Sequence, residues 1–362
     1  MRARTLGSQA GYSLIELLVA SAIMLTVTGA IFGLMNPSQG VAQAQPEVAD
    51  LQQRMRVAQD TLFRELVMVG AGVYQGPVTG SLINFFAPIV PRRLGLTGSD
   101  PATVFRPDYM TISYIPTTYS QTTLSNSMPP NSAELKVRDQ PNCPKGQELC
   151  GFKQGMVVII FDSTGHFDTF EITEVQNEAG HLQHRNENLN HQYNAGASVT
   201  QVVSYTYYRD AATNRLMRYD LAATETPLVE NVVDLQFSYF GDPNPPLNPK
   251  PPAGEANCLY DTNGNYLGLP VLAPTDGSLV ALTPAMLTDG PFCGSGDTEF
   301  DADLLRVRKV RVTLRLQAAN PALRGSDATI WLNPGQAVRG ESAVPDYAVT
   351  FEVSPRNLNL AR

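Results

Sequence analysis

Between Tyr12 and Met35 the chain carries about 24 residues of which only one, Glu16, is charged, and as an α-helix such a segment rises ~36 Å. The hydrocarbon core of a bilayer is about 30 Å thick, so the segment is long enough to cross it. Residues 1–11 are polar and carry Arg2 and Arg4. That basic bias places residues 1–11 in the cytoplasm and everything beyond Met35 outside it. An ordinary secretory signal ends its apolar run at a small-residue cleavage site. Here the candidate site, Gly11, precedes the run, so the apolar segment is expected to stay in the mature protein.

Glu16 is the anomaly. A carboxylate in an apolar membrane helix costs roughly 2.5–3.5 kcal/mol on insertion scales, so it needs a partner. One reading has Glu16 near the cytoplasmic interface, reaching back to the headgroups. The sharper reading is that cutting after Gly11 frees the α-amine of Tyr12, and that this ammonium pairs with Glu16 of a neighbouring subunit. The acid then acts as an assembly register.

These residues, Gly11-Tyr12-Ser13-Leu14-Ile15-Glu16-Leu17-Leu18, closely resemble the type III signal of type IV prepilins, in which a prepilin peptidase cuts after the glycine. In that family the new first residue is N-methylated and usually Phe; Tyr12 departs from this but keeps the aromatic ring. The resemblance covers residues 1–35 and implies processing at Gly11–Tyr12 and assembly into a pilus-like filament. Major pilins, minor pilins and type II secretion pseudopilins share it.

Beyond the membrane segment, Val48, Leu51, Met55, Ala58, Leu62, Leu66 and Val69 recur at three- and four-residue steps, which predicts an amphipathic helix whose stripe is core. Pro37, Gly40 and Pro46 are expected to kink or melt its join to the membrane helix, and Gly70 and Gly72 to end it. Strand signals then dominate: residues 108–115, 156–161, 166–175, 198–209, 215–220, 232–240, 307–316 and 347–353. The expected fold class is α+β, a long N-terminal helix packed on an antiparallel sheet with long loops. Gln121–Ser132, rich in Ser, Thr, Asn and Pro, reads as an exposed loop, and Asp242–Pro252, with six prolines, opens an insertion over about 242–303.

This order of elements narrows the resemblance. An aliphatic strand and Asp turn at 155–165, Tyr207-Tyr208-Arg209 before Asn214–Arg218, Pro227–Tyr239 and a late Pro355–Leu358 together look like PilW-type minor pilins. Glu65–Gly76 is similar to the helix-ending segment of that family, with Val67–Gly72 in place of its usual Arg-Met-Ala-Gly. The expected organisation is a leader at 1–11, a membrane helix at 12–35, a periplasmic amphipathic helix at 36–75 and a β-rich head at 76–362.

Four cysteines, Cys143, Cys150, Cys258 and Cys293, lie in the part placed outside the cytoplasm, where thiols are oxidised. They allow three pairings. Cys143–Cys150 and Cys258–Cys293 are favoured, since the first closes a short loop and the second clips the insertion; neither pair has the C-x₂₋₄-C spacing of a zinc site. His181, His184 and His191 read as a solvated hairpin tip. Asp261–Asn265 reads as a β-turn, because Leu272 stands where a calcium loop needs its twelfth-position acid. Asp297, Glu299, Asp301 and Asp303 form an acidic run weighed as a solvated loop against a calcium site. Ser295 lacks the G-x-S-x-G elbow, and no phosphate loop or dinucleotide fingerprint occurs.

The balance of 26 basic against 34 acidic residues, net −8, disfavours a dedicated nucleic-acid site. No cofactor, metal or catalytic residue is assigned. The expected function is that of a minor pilin in the initiation or tip complex of a type IV pilus. Its partners would be prepilin peptidase, other minor and major pilins and the inner membrane, and it would reach the cell surface on assembly. A J-type pseudopilin and a membrane-anchored adhesin that never polymerises are the alternatives.

Overall fold

The computed structural model describes residues 11–73, 80–117, 119–141, 143–184, 189–274, 276–337 and 343–360, and the side chains of 36–41 fall outside that description. Helix α1 (Leu14–Met68) runs for 55 residues. The melted join expected at Pro37 and Pro46 is not found: helical backbone continues through both. Each proline lacks an N–H, so the carbonyls of Gly33 and Ala42 lose their intrahelical donor, but the fixed proline φ is itself compatible with a helix. The end of α1 is as expected. Gly70 takes φ +76° and donates its N–H to Ser113 O at 3.1 Å.

The strands in chain order are β1 (Ile89–Val90), β2 (Tyr109–Tyr114), β3 (Gln121–Thr123), β4 (Glu134–Lys136), β5 (Val157–Phe161), β6 (Phe167–Gln176), β7 (His181–His184), β8 (Ser198–Gln201) and β9 (Val203–Asp210). There follow β10 (Arg215–Tyr219), β11 (Glu225–Glu230), β12 (Val232–Gly241), β13 (Val280–Leu282), β14 (Phe292–Cys293), β15 (Phe300–Asp301), β16 (Val307–Leu316) and β17 (Tyr347–Val353). All their pairings are antiparallel. The architecture is therefore α+β, as the sequence leads one to expect.

The chain divides into two units, Met1–Gln53 with Gln317–Asp346, and Arg54–Leu316 with Tyr347–Arg362. In the first, the Arg324 guanidinium donates to Ala318 O and Ala319 O at 2.8 and 3.0 Å. The Ala319 N–H donates to the Glu47 carboxylate on α1.

In the second unit, Met55, Ala58, Leu62, Leu66 and Val69 of α1 are buried, while Val57 and Phe63 on the opposite side are exposed. Glu65 accepts the Tyr114 hydroxyl of β2 at 2.9 Å. One sheet has the order β1-β2-β9-β10-β11 and another β13-β12-β16-β17. In the latter, Leu235, Phe237 and Tyr239 face Leu314, Val312 and Val310 in register and are buried, while Arg311, Thr313 and Arg315 alternate with them on the wetter face.

Residues 198–209 form two strands rather than one, because a separate module is inserted between the paired strands β2 and β9. Its order is β3-β8-β5-β6-β7-β4. The bridge Leu124↔Val137, with Ser125 N–H to Lys136 O at 2.8 Å and Arg138 N–H to Thr123 O at 2.9 Å, joins the two ends of that order. The sheet thus closes into a small barrel, and a bulge between Ile172 and Glu174 lets β6 turn the corner. Val158, Ile160, Phe170, Ile172, Leu182 and Val199 fill the barrel with Leu124 and Met128. Gln121–Ser132 is therefore not an exposed loop: it supplies β3 and two core side chains, and its polar composition masked them.

Strand β5 is buried on its other face as well, by Ile159 and Phe161. Phe161 meets Phe85 edge-on at 4.9 Å, and Phe167 stacks on Phe86 at 4.3 Å. These contacts dock the barrel onto the rest of the unit.

The segment 242–303 carries β13, β14 and β15 and is braced by a disulfide and by a buried arginine. Cys258 and Cys293 form a disulfide with Cα atoms 4.9 Å apart. Fully buried Arg306 donates to Pro243 O at 3.0 Å and Pro270 O at 2.7 Å while pairing with Asp303. The second disulfide, Cys143–Cys150 with Cα atoms 5.6 Å apart, closes a loop organised by Gln140, which donates to Tyr119 O and Gln121 O and accepts from Gly151 N–H.

Two outcomes follow. Leu62→Ala should cost about 2–5 kcal/mol in denaturant unfolding followed by circular dichroism, whereas Val57→Ala should stay within about 0.5 kcal/mol. Cys258→Ser should remove about 2–4 kcal/mol of restraint from the insertion, raising proteolytic cleavage within residues 243–274 while β16 and β17 stay protected in hydrogen exchange.

Candidate functional site

The N-terminal segment presents the most distinctive chemistry. Gly11 has open space on every side, and Tyr12 is 91% exposed. Ser13 and Glu16 cap α1 reciprocally: the Ser13 N–H donates to Glu16 Oε2 at 2.9 Å, and the Glu16 N–H donates to Ser13 Oγ at 3.3 Å. This is a capping box, for which Ser13-Leu14-Ile15-Glu16 carries the S-x-x-E pattern. The Glu16 carboxylate is thereby fixed over the positive end of the helix. The box is a local sequence signal that the charge-cost argument alone passes over. Arg2 and Arg4 lie outside the described residues.

The apolar segment Leu14–Met35 has a mean hydropathy of 2.2, and the most apolar stretch of it has nothing buried inside the protein. Two of its hydroxyls bond back along the helix: Ser21 Oγ donates to Leu17 O and Thr26 Oγ1 to Ile23 O, each at 2.8 Å. Such back-bonding removes their need for water. Glu16 is left as the one charged side chain of the segment.

The histidines are rearranged relative to the sequence expectation. His181 lies 3.5 Å from Glu134, and His184 is buried in β7 against Phe170, so neither belongs to a solvated tip. His191 instead stacks on His166, with ring centroids 3.6 Å apart and planes within 4°. Parallel rings at that spacing cannot aim their in-plane lone pairs at one ion, so the pair does not make a metal site. Burial and the neighbouring His191 push the His166 imidazole down to about 4. Asp168 receives the Tyr193 hydroxyl at 2.8 Å and both the N–H and the side-chain amide of Asn190.

The acidic run is also redistributed. Asp301 and Asp303 come together with Asp289, not with Asp297 or Glu299, because the β14–β15 hairpin brings residue 289 back beside 301. Asp301 accepts from Gly290 N–H at 2.6 Å and Asp303 N–H at 2.8 Å. Burial, with Asp303 and Asp289 nearby, pushes it up to about 6. Buried Arg306 on Asp303 and buried Arg92, whose charge reaches Asp301, offset these carboxylates. Asp261 closes a turn by accepting from Asn263 and Asn265 N–H, as expected. Ser295 Oγ donates to Asn190 O. All four cysteines are in disulfides, which leaves no thiolate for a metal.

Residues 6–32 match the family model described as the prokaryotic N-terminal methylation motif. No curated protein matches the chain. The match brackets the Gly11–Tyr12 junction, the Ser13–Glu16 capping box and most of the exposed apolar helix. A methylation motif of the prepilin type implies processing by prepilin peptidase and assembly with other pilins, and joined to an apolar N-terminal helix it fits an anchor in the inner membrane. Over residues 6–32 the chain is similar to prepilin-type proteins, and the motif supports a type IV pilin-like protein.

Proposed function

We propose that the chain is a PilW-like minor pilin, cut between Gly11 and Tyr12, methylated on Tyr12, and built into the initiating or tip complex of a type IV pilus. Residues 1–11 serve as the leader, 12–35 as the membrane anchor and 36–75 as the amphipathic helix. The head holds residues 76–362 in the periplasm until assembly carries it to the cell surface. The observation that supports this reading is a single carboxylate, Glu16, fixed at the start of an apolar helix that the protein's own core does not cover, directly after a glycine–aromatic junction.

The head favours an end position over a repeating one. A subunit repeated along a filament must pack its head on every side, and the inserted barrel and the 242–303 segment enlarge this head. At a tip they are free to meet a surface, which gives the head an adhesive role. A J-type pseudopilin of type II secretion shares the Gly11–Glu16 segment but has a smaller head. In an adhesin that never polymerises, Glu16 would have no partner beyond its own cap. No residue is given a catalytic role.

Glu16→Ala separates the register role from simple anchoring. Removing the charge lowers the cost of the bilayer state, while the assembled state loses the partner of the Tyr12 ammonium. Membrane insertion should be unchanged and both disulfides intact, with crosslinking to partner pilins down more than tenfold. Wild-type crosslinking and piliation would instead favour the interfacial reading of Glu16.

A further inference from the structure

The barrel and the insertion meet at a seam whose chemistry differs from the apolar docking of Phe161 and Phe167. On the barrel side are the β5–β6 turn, residues 162–166, and the β7–β8 connection around Asn190 and His191. On the insertion side, Pro249 Cγ and Cys293 Cβ lie within 3.3 and 3.7 Å of the position a side chain would take at Gly165. Ser295 Oγ donates to Asn190 O at 3.1 Å, and a Cβ at Gly296 would collide with the Asn190 side chain. Asn190 in turn is held by Asp168, and its neighbour His191 is stacked on His166. Thr164 Oγ1 bridges the Asp162 carboxylate and His166 Nδ1.

We propose that this seam is a proton-operated latch: the stacked His166–His191 pair holds residues 189–191, and with them the insertion, while His166 is neutral, and releases both when acid charges that ring. Two neutral imidazoles stack as flat aromatic faces. A proton on His166 must be held face-on to the other ring at a centroid distance of 3.6 Å, in a partly buried site that gives the charge little water.

The charged groups that face His166 are few. Asp162, from the turn, favours the charged ring by its charge; His191 opposes it; Pro249 and Cys293, from the insertion beside the neighbouring Gly165, carry no charge. Burial outweighs Asp162, so the closed seam resists protonation down to about 4, whereas an open one would take up the proton near the ordinary value of about 6.5. The stabilisation is therefore complete above about 6.5 and is lost as pH falls towards 4. Asp168 acts in the other direction: burial raises it above the ordinary carboxylate range, so its titration in acid favours the closed state and does not supply the opening.

Hydrogen exchange read by mass spectrometry on the full chain in detergent micelles, corrected for intrinsic rates, tests this. Between pH 7.5 and 4 the opening constant of peptides covering 162–168 and 189–193 should rise about 100-fold, while β16 stays protected. His191→Phe keeps a flat ring without a titrating nitrogen and should reduce the rise. His166→Asn combined with it retains a polar atom for Thr164 and should bring the rise below about threefold. A variant already open at pH 7.5 is read by its slope against pH, which should be flat. A wild-type seam without the acid-driven rise, or a double variant with the wild-type slope, would overturn the latch.

Discussion

An apolar helix that its own protein leaves uncovered must be covered by something else. From Leu14 to Met35 the side chains face outward, and only a bilayer or the helices of other subunits can keep them from water. Glu16 makes the requirement sharper, since whatever covers the helix must also accommodate a carboxylate. The capping box with Ser13 meets part of it inside the chain. Two donors of the first turn and two acceptors of the Ser13–Glu16 pair satisfy one another, and the carboxylate keeps lone pairs for a cation delivered from outside. A proposed ammonium at Tyr12 is that cation.

The head shows two ways of attaching an added piece. The barrel is fixed by aromatic burial on the outer face of β5 and the start of β6, a contact indifferent to pH and salt. The 242–303 segment is fixed by a disulfide, by the buried Arg306 and by the polar seam around Asn190. Arg306 deserves comparison with the disulfide: its guanidinium binds carbonyls 27 residues apart in the chain, at Pro243 and Pro270, and its charge is met by Asp303. Removing it would leave two carbonyls and a carboxylate buried without their donor.

What can be read from the sequence follows the range of the interaction. The Gly11–Glu16 segment is contiguous, so its cap and its charge are both visible in six residues. The α1 stripe from Val48 to Val69 and the alternation of Val310, Val312, Leu314 and Leu316 are periodic over about six helical turns and over seven strand residues, and periodicity survives without knowledge of the partner. The barrel is different. Its β3 and β4 are three residues each, too short to show a period, and it closes through Leu124 and Val137, two apolar residues set in polar surroundings. His166 and His191 become neighbours only after that closure, and Asp289 joins Asp301 only through a hairpin of two-residue strands. Clusters built by long-range pairing leave no spacing rule in the chain. The local groupings of His181 with His184, or of Asp297 with Glu299, are misleading for the same reason.

The central claim is that Tyr12 becomes the first residue and that its amine is the group Glu16 awaits. Intact-mass analysis of the chain recovered from assembled filaments measures this directly. The account predicts a mass beginning at Tyr12 and increased by one methyl group. A mass that retains residues 1–11 in assembled material, or that begins at any residue after Tyr12, would contradict it.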